Sequence, residues 1–379
     1  MPIEFTPSPR RSLGVEVELG IIDVESRHLV PRANDVISAL LSGHADVTEH
    51  PKVKQELFLS TIEIITGVCL TAAEAHADLT ATLREVQGYL EPRGMALLGG
   101  GVHPFTDPAS LQRRPNKRYD NLVNRIQWPA RRLQIHGIHF HVGIGDADRA
   151  IAVLNRSLRY LPLFVALSSS SPYWEGTDTG LASVRTKIFE SLPTAGLPVR
   201  FADWAHYEDY VEIMLETNGI GSIREIWWDI RPHAQYGTLE FRMSDGTATL
   251  REAVGLAALA QCLVEYLDSS LSEGLGPAEP SEWTVRENKW RAARFGLDAQ
   301  LVGEGGQTIG VPDAVADLLT VLQPIGVELG CERELGWVRE ILDTGSSSSR
   351  QRAFIDQGAT LTEVVDRMVL ELGTDRIAP

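Results

Sequence analysis

Cysteine is scarce. The chain has three in 379 residues, Cys69, Cys262 and Cys331, and no pair has C-x-x-C spacing. They read as small core residues in a reducing cytoplasm rather than as a disulfide framework. Positive charge is in deficit too. Against 51 Asp and Glu stand 35 Lys and Arg, a formal net charge of −16 and a pI near 5.1. That argues against nucleic acid or an anionic membrane as the main partner. Apolar runs are short: the longest, around Ala253–Leu267, is broken by Gln261 and Glu265, so no membrane span is expected. The opening MPIEFTPSPRRS has no apolar signal-peptide core. A soluble cytoplasmic protein is expected. No internal repeat and no convincing Ser-His-Asp set is visible. Gly99–Gly101 lacks the following Lys of a phosphate loop, so a tight turn beside packed backbone is expected there.

What the chain does have is acid on strands. GVEVELGIID, Gly14–Asp23, alternates with period two. Val15, Val17, Leu19 and Ile21 face one way; Gly14, Glu16, Glu18 and Gly20 face the other. Two carboxylates thus sit side by side with no basic neighbour in the strand, either on a solvated outer face or at a metal site. Lys52–Leu57 and Thr61–Thr66 read as strands carrying Glu56 and Glu63. A straight strand would put these two acids on opposite faces, so a turn or bulge near Phe58–Ser60 is required to unite them. In Gln134–Gly145, His139 and His141 share a face with Gly137 and Gly143. Two imidazoles in register, flanked by glycines, suit a metal or a phosphate. In Thr238–Ser244, Leu239, Phe241 and Met243 face the core, and Glu240 and Arg242 share the other face.

Helices are expected at Asn34–Ser42, Thr71–Glu91, Asp148–Leu167, Asp203–Asn218 with Gly219 as a left-handed cap, and Thr249–Leu267. Thr71 with Glu74 and Thr249 with Glu252 form capping boxes. Met95–Leu98 and Ile223–Ile230 read as further strands. Asp107–Arg132 concentrates basic residues, including Arg113, Arg114, Lys117, Arg118, Arg125, Arg131 and Arg132. It reads as a solvated loop and helix pairing with acids elsewhere, or as a mobile loop over an anionic substrate. The serine-rich stretch from Leu167 to Phe189, with a lone Arg185, either lines a pocket or merely connects elements. Ser272–Ser281 is the linker candidate, and helices follow at Trp283–Phe295, Val311–Leu322, Cys331–Asp343 and Leu361–Leu372. Asn288, Lys289, Trp290, Arg291 and Arg294 give the first of these a basic, aromatic face. The order suits α+β rather than βαβ winding. The expected division is a catalytic core over 1–270 and a helical C-terminal region over 281–379, packed together as one integrated domain.

Clustered carboxylates are costly unless a cation sits among them. Glu16, Glu18, Glu56, Glu63 and Glu240, with His139 nearby, suit Mg²⁺ or Mn²⁺. Arginine beside such acids suits a transferring phosphoryl group. The residues alone therefore reach a metal–nucleotide enzyme on an antiparallel sheet and leave the reaction unnamed.

The ordered motifs GVEVELGIID, QELFLSTIEIIT, GIHFHVGI, SSSSPYWEGTDTGLASVR, IWWDIRP, YGTLEFRMSD and ENKWRAARFGLDA resemble the carboxylate–amine ligases, the bacterial glutamate–cysteine ligase type 2 proteins. The family is similar to glutamine synthetase in its catalytic sheet. The resemblance implies a curved antiparallel β-sheet funnel with flanking helices, ATP entering one side and the acid and amine the other. It implies metal ligation by Glu16, Glu18, Glu56, Glu63, His139 and Glu240, with Glu56 the least secure because its spacing from Glu63 is short. It implies His141 near the ATP phosphates, Arg242 on the phosphoryl group in flight beside Glu240, and Arg185 and Arg231 on a substrate carboxylate. The activity implied is ATP-dependent joining of a carboxylate, the γ-carboxylate of glutamate, to cysteine or another small amine, with Mg²⁺ or Mn²⁺. The alternatives are a phosphotransferase on a carboxyl or guanidino substrate and a non-catalytic protein that kept the fold. Partners would be small molecules, with a homodimer possible.

Overall fold

Strand β1 (Leu13–Asp23) is hydrogen-bonded along both edges. In the computed structural model, which describes residues 3–42 and 49–378, it sits inside a seven-stranded antiparallel sheet. Helix α1 (Ala33–Leu41) follows, then β2 (Val53–Gln55), β3 (Thr61–Ile65), α2 (Ala72–Leu90), β4 (Met95–Leu98), α3 (Lys117–Ile126) and β5 (Gly137–Gly143). Next come α4 (Ala147–Ser157), α5 (Leu161–Ser168), the short hairpin β6 (Tyr173–Trp174) and β7 (Thr177–Asp178), α6 (Val184–Phe189) and α7 (Trp204–Glu216). Then β8 (Ile230–His233) and β9 (Thr238–Asp245) complete the sheet, and α8 (Leu250–Ser272) crosses beneath it. The remainder is α9 (Glu282–Phe295), the hairpin β10 (Gln300–Val302) and β11 (Thr308–Gly310), α10 (Val311–Glu328), α11 (Glu332–Thr344), α12 (Ser347–Asp356) and α13 (Leu361–Thr374).

The sheet runs β2-β3-β1-β5-β9-β8, with β4 also paired to β1. Its two faces follow from period-two alternation. Val15, Val17, Leu19 and Ile21 are buried in the core with Ile138, Phe140, Leu239 and Phe241. Beneath them α8 is buried along nearly its whole length, from Leu250 to Asp268. Its capping box at Thr249 and Glu252 forms as expected, as does the one at Thr71 and Glu74. Each fully buried Leu or Val contributes about 1.5–3 kcal/mol relative to exposure, so this layer dominates the stability. The opposite face keeps the acids and imidazoles.

Several expectations need correction. The left-handed residue after α7 is Asn218, with φ +57°, not Gly219; Asn tolerates that region better than most side chains. The Ile- and Trp-rich stretch before Arg231 is a 3₁₀ turn at Ile223–Glu225 and an extended lead-in, and the strand proper begins at Ile230. The helix after β5 is broken by a 3₁₀ turn at Leu158–Tyr160 where Pro162 starts α5. This stretch, Ala147–Ser168, has the length and apolar content of a membrane span, and 78% of that window is buried inside the protein. The basic segment, in contrast, holds a helix as the loop-and-helix reading expects, α3, with 3₁₀ turns at Pro108–Ser110 and Ala130–Arg132. Helix α12 and the hairpin of β10 and β11 had no counterpart in the sequence reading.

The later helices dock on the earlier layer. Helices α10 and α11 lie against α8, α9 against α5, and α13 against β4. Arg350 on α12 joins them, with Nη2 2.9 Å from Glu252 on α8 and 3.3 Å from Glu371 on α13, all three side chains buried. Arg350→Met should leave the buried Glu252 carboxylate without its cation and Glu371 with Arg367 alone, and cost about 3–5 kcal/mol. Denaturant unfolding of the full chain measures this; a loss below about 1 kcal/mol, the range of an exposed pair, would show that this bridge is not holding the helices down.

Candidate active site

Register places the polar side chains opposite one another. Glu16 faces His139 and Glu18 faces Gly137's neighbourhood across β1 and β5, while Glu18 pairs with Glu63 across β1 and β3. His141 faces Glu240 across β5 and β9, and Glu240 faces Arg231 across β9 and β8. The chain turns between β2 and β3, as the spacing of Glu56 and Glu63 requires, and brings both acids to Glu18. The result is a cavity of about 560 Å³ lined by Glu16, Glu18, Glu56, Glu63, His139, His141, Arg185, Arg231, Glu240 and Arg242 among others. Every site residue expected from the sequence lines it.

Three sets of side chains offer ligand atoms within 4.8 Å of one another: Glu16, His141 and Glu240; Glu16, Glu63 and His139; and Glu18, Glu56 and Glu63. Glu56, the least secure candidate in sequence, is a full member of the third set. His141 joins the first set rather than only standing beside it. Oxygen-rich sets with one imidazole fit a hard divalent cation such as Mg²⁺ or Mn²⁺.

The electrostatics support that fit. Burial and then the charges of Glu18 and Glu16 push the Glu56 carboxyl up to about 8. Burial and the charges of Glu16, Glu56 and Glu18 likewise push Glu63 well above the carboxylate range. Among the described residues neither acid forms an ion pair, and the nearby charge of Arg242 offsets the rise only in part. Glu16 differs. Burial would raise it, but His139 Nδ1 donates to its Oε2 at 2.9 Å and His141 Nε2 lies 3.3 Å from its Oε1, and the net effect is a lowered pKa. Glu240 is also held low against the pull of burial, by Arg242 and Arg231. Arg231 grips it with Nε at 2.6 Å from Oε2 and Nη2 at 3.2 Å from Oε1, and Arg242 Nη1 donates to the same Oε1. In this structure both arginines therefore bind a protein carboxylate; Arg231 is not free for a substrate.

Arg185 is. It is buried, its guanidinium donates to the carbonyls of Met243 and Arg242, each at 3.3 Å, and it lies over the Phe189 ring at 5.6 Å from the centroid, with no carboxylate bonded to it among the described residues. Its Nε has no partner among the described residues. Gly137 makes room for it: a Cβ there would lie 2.1 Å from Arg185 Nη2. The serine run supports this arginine without lining the cavity. Ser171 Oγ accepts from the Arg185 backbone N–H at 3.1 Å and donates to Asp245 at 2.7 Å, and Ser183 Oγ donates to Asp245 at 2.7 Å. The glycines at 99–101 are the expected tight packing: a Cβ on Gly101 would come within 2.8 Å of Asp245.

Sequence reasoning missed a buried brace. Lys289 points inward from α9, with Nζ bonded to the buried Asp229 and 2.6 Å from Glu190. Trp283 and Trp290 point outward, so the expected basic face is divided. The carbonyl of Asp229 accepts the Arg242 N–H at 2.7 Å. Only the spacing of ENKW on the helix could have signalled this, and nothing local names its partners.

The raised Glu56 has a consequence for stability. Between its ordinary value near 4.5 and about 8 the folded protein keeps a proton that the unfolded chain releases. Stability of chelator-treated protein should therefore fall as pH rises through that window. Glu56→Gln should flatten the fall and be the more stable form at pH 8, and Mg²⁺ should reverse the trend in the parent. Urea unfolding across pH reads this out; identical slopes for the two proteins would remove Glu56 from the crowded acids.

The geometry can be set beside known proteins. The chain matches glutamate–cysteine ligase family 2 over residues 12–369. It is 46% identical over 374 residues to a Thermobifida fusca protein provisionally named glutamate–cysteine ligase 2, covering 98% of this chain and 93% of that one. Among solved structures it is similar to glutamate–cysteine ligase of Francisella tularensis in complex with AMP, with a TM-score of 0.69 at 12% identity over 97% of this chain and 90% of that one. It is also similar to the bifunctional glutathione synthetase of Pasteurella multocida, with a TM-score of 0.71 at 15% identity. There it covers 96% of this chain and about half, 52%, of that one.

Proposed function

The chain belongs to glutamate–cysteine ligase family 2, and from that premise we propose that it is an ATP-dependent carboxylate–amine ligase. We take the acid to be glutamate, joined through its γ-carboxylate to cysteine or another small amine. The observation that carries this reading is the shared sheet face: five acids, two imidazoles and the arginines Arg185, Arg231 and Arg242 line one cavity.

The cavity reads as a two-ended funnel. Antiparallel register puts His141, Glu240 and His233 toward one end of the strands, and Glu18, Glu63 and Arg185 toward the other. We assign the first end to ATP and the second to the acid and amine. Mg²⁺ or Mn²⁺, held by Glu16, Glu18, Glu56, Glu63, His139 and Glu240, would neutralise phosphate charge when bound. His141 would stand beside the phosphates.

A carboxylate is a poor electrophile, so the acid is first phosphorylated. Its oxygen attacks the γ-phosphorus of ATP, the bond to the β–γ bridging oxygen breaks, and ADP leaves. The amine nitrogen then attacks the acyl carbon, phosphate departs, and the ammonium proton passes to solvent. Arg185 is the side chain suited to hold the acid's other carboxylate, because it is buried and has no carboxylate partner of its own. Arg242 bonds Glu240 through Nη1 and also lines the cavity, and its guanidinium is suited to the charge that moves during transfer. Arg231 serves instead to hold Glu240.

Two measurements test this. Purified enzyme with glutamate, ATP and a panel of amines should give amide product by mass spectrometry, and hydroxylamine should trap an acyl phosphate. ADP release that consumes no amine would make the protein a phosphotransferase, and no ADP release with any acid and amine would make it a non-catalytic relative. Arg242→Lys should lower kcat roughly a hundredfold, as for loss of a positioned donor, with little change in ATP affinity. Because Arg231 keeps its bidentate hold on Glu240, the variant should remain folded. Full turnover in Arg242→Lys together with a depressed Tm in Arg242→Ala would reduce Arg242 to a structural ion pair.

A further inference from the structure

The turn between β8 and β9 is not explained by metal or phosphate. His233 and Tyr236 stack face to face there, with ring centroids 4.1 Å apart and planes within 7°. His141 abuts both edge-on, at 5.6 and 5.9 Å. All three line the cavity. Tyr236 nevertheless leaves 56% of its surface exposed. One side of the stack is covered by His233, and the ring as a whole stands at the mouth.

The turn is rigid by construction. Gly237 has φ +60°, and a Cβ there would lie 2.1 Å from the Thr6 carbonyl and 2.5 Å from the Ser8 nitrogen. The Thr6 N–H donates to the Ala234 carbonyl at 2.9 Å, and the Ile144 N–H donates to the Gly237 carbonyl at 2.9 Å. The N-terminal arm is itself pinned. Phe5 packs edge-on against Trp204 at 5.3 Å, and Trp204 Nε1 donates to the Ile3 carbonyl at 3.3 Å. A two-residue-wide aromatic ledge is thus clamped from the arm on one side and from β5's continuation on the other. A platform held this way loses little freedom when a flat ligand docks on it.

Its position says what. His141 on β5 pairs with Glu240, and His233 on β8 pairs with Thr238, so the ledge adjoins the set formed by Glu16, His141 and Glu240. Resting on the reading of that end as the ATP end, we propose that Tyr236, backed by His233, is the platform on which the base of the nucleotide stacks. The ligand class is a flat heteroaromatic base joined to a metal-bound polyphosphate. The ledge presents a face and not a pattern of donors, so it favours nucleotides over bare polyphosphate without choosing strongly among bases.

Calorimetry on the full chain in excess Mg²⁺ tests this with two probes, ATP and inorganic tripolyphosphate. The parent should bind ATP more tightly than tripolyphosphate. Tyr236→Ala should weaken ATP about tenfold or more, the usual effect of losing a stacked ring, and leave tripolyphosphate unchanged. Tyr236→Phe, which keeps the face, should bind both as the parent does. Parent-like ATP affinity in Tyr236→Ala would overturn the platform, and so would equal loss of both probes, which would mean damage to the phosphate end. A parent that binds ATP no better than tripolyphosphate would also overturn it while leaving the ligase reading intact. A parent that binds neither would overturn both.

Discussion

Like charge in a small space is the constraint on which this structure depends. Five carboxylates converge on one sheet face, and in the protein as it stands they are answered unequally. Glu16 has two histidines and Glu240 has two arginines, while Glu56 and Glu63 form no ion pair among the described residues and feel Arg242 only as a lesser charge against their acidic neighbours. On the proposed reading, divalent cations would relieve that crowding, and the site would be completed by a ligand it does not supply itself. Stability and affinity are therefore opposed here, as they commonly are where function demands an unfavourable grouping.

The rest of the fold keeps that grouping in place. The apolar faces of β1, β5 and β9 lock onto the buried α8, so a slip of register would expose a whole core face. Around the rim, polar side chains hold backbone and guanidinium groups by direct bonds. Asp245 gathers Ser171 and Ser183 beneath Arg185, and Lys289 holds Asp229 beside Arg242. Serine runs from distant parts of the chain meet in the interior, where Ser169 Oγ bonds Ser346 and Ser348 at 3.0 Å. Small hydroxyls satisfy one another there and let segments approach closely.

Much of this was legible in the residues. Alternation alone placed Glu16, Glu18, His139, His141, Glu240 and Arg242 on polar faces, because period two is a local property of a strand. Thr71 and Thr249 declared two helix starts through their third-residue glutamates. What local rules could not supply was the partner of each charge. Arg231 reads as free in sequence and grips Glu240 in space; Lys289 reads as a surface cation and lies buried. Helix α12 was invisible because serines favour turns and caps in isolation, and its hydroxyls find their partners in one another, in Gln351 and in the distant Ser169. The stacked pair at the β8–β9 turn was missed for a related reason. Two aromatics three residues apart meet only once Gly237 bends the chain against the N-terminal arm.

The brace from α9 bears on the order in which the protein is made. All strands of the main sheet lie before residue 246, yet Lys289 and the Ala293 carbonyl, which accepts the N–H groups of Ala182 and Ser183 at 2.9 Å, come later. Arg350 comes later still. At about 5–20 residues per second, a nascent chain spends several seconds with its sheet outside the ribosome and these braces unsynthesised. During that interval Asp229 has no ammonium beside it and the segment carrying Arg185 lacks its anchor. A chain that has formed its sheet but not yet added α9 therefore presents the acids of the site without the braces that hold Asp229 and the segment carrying Arg185.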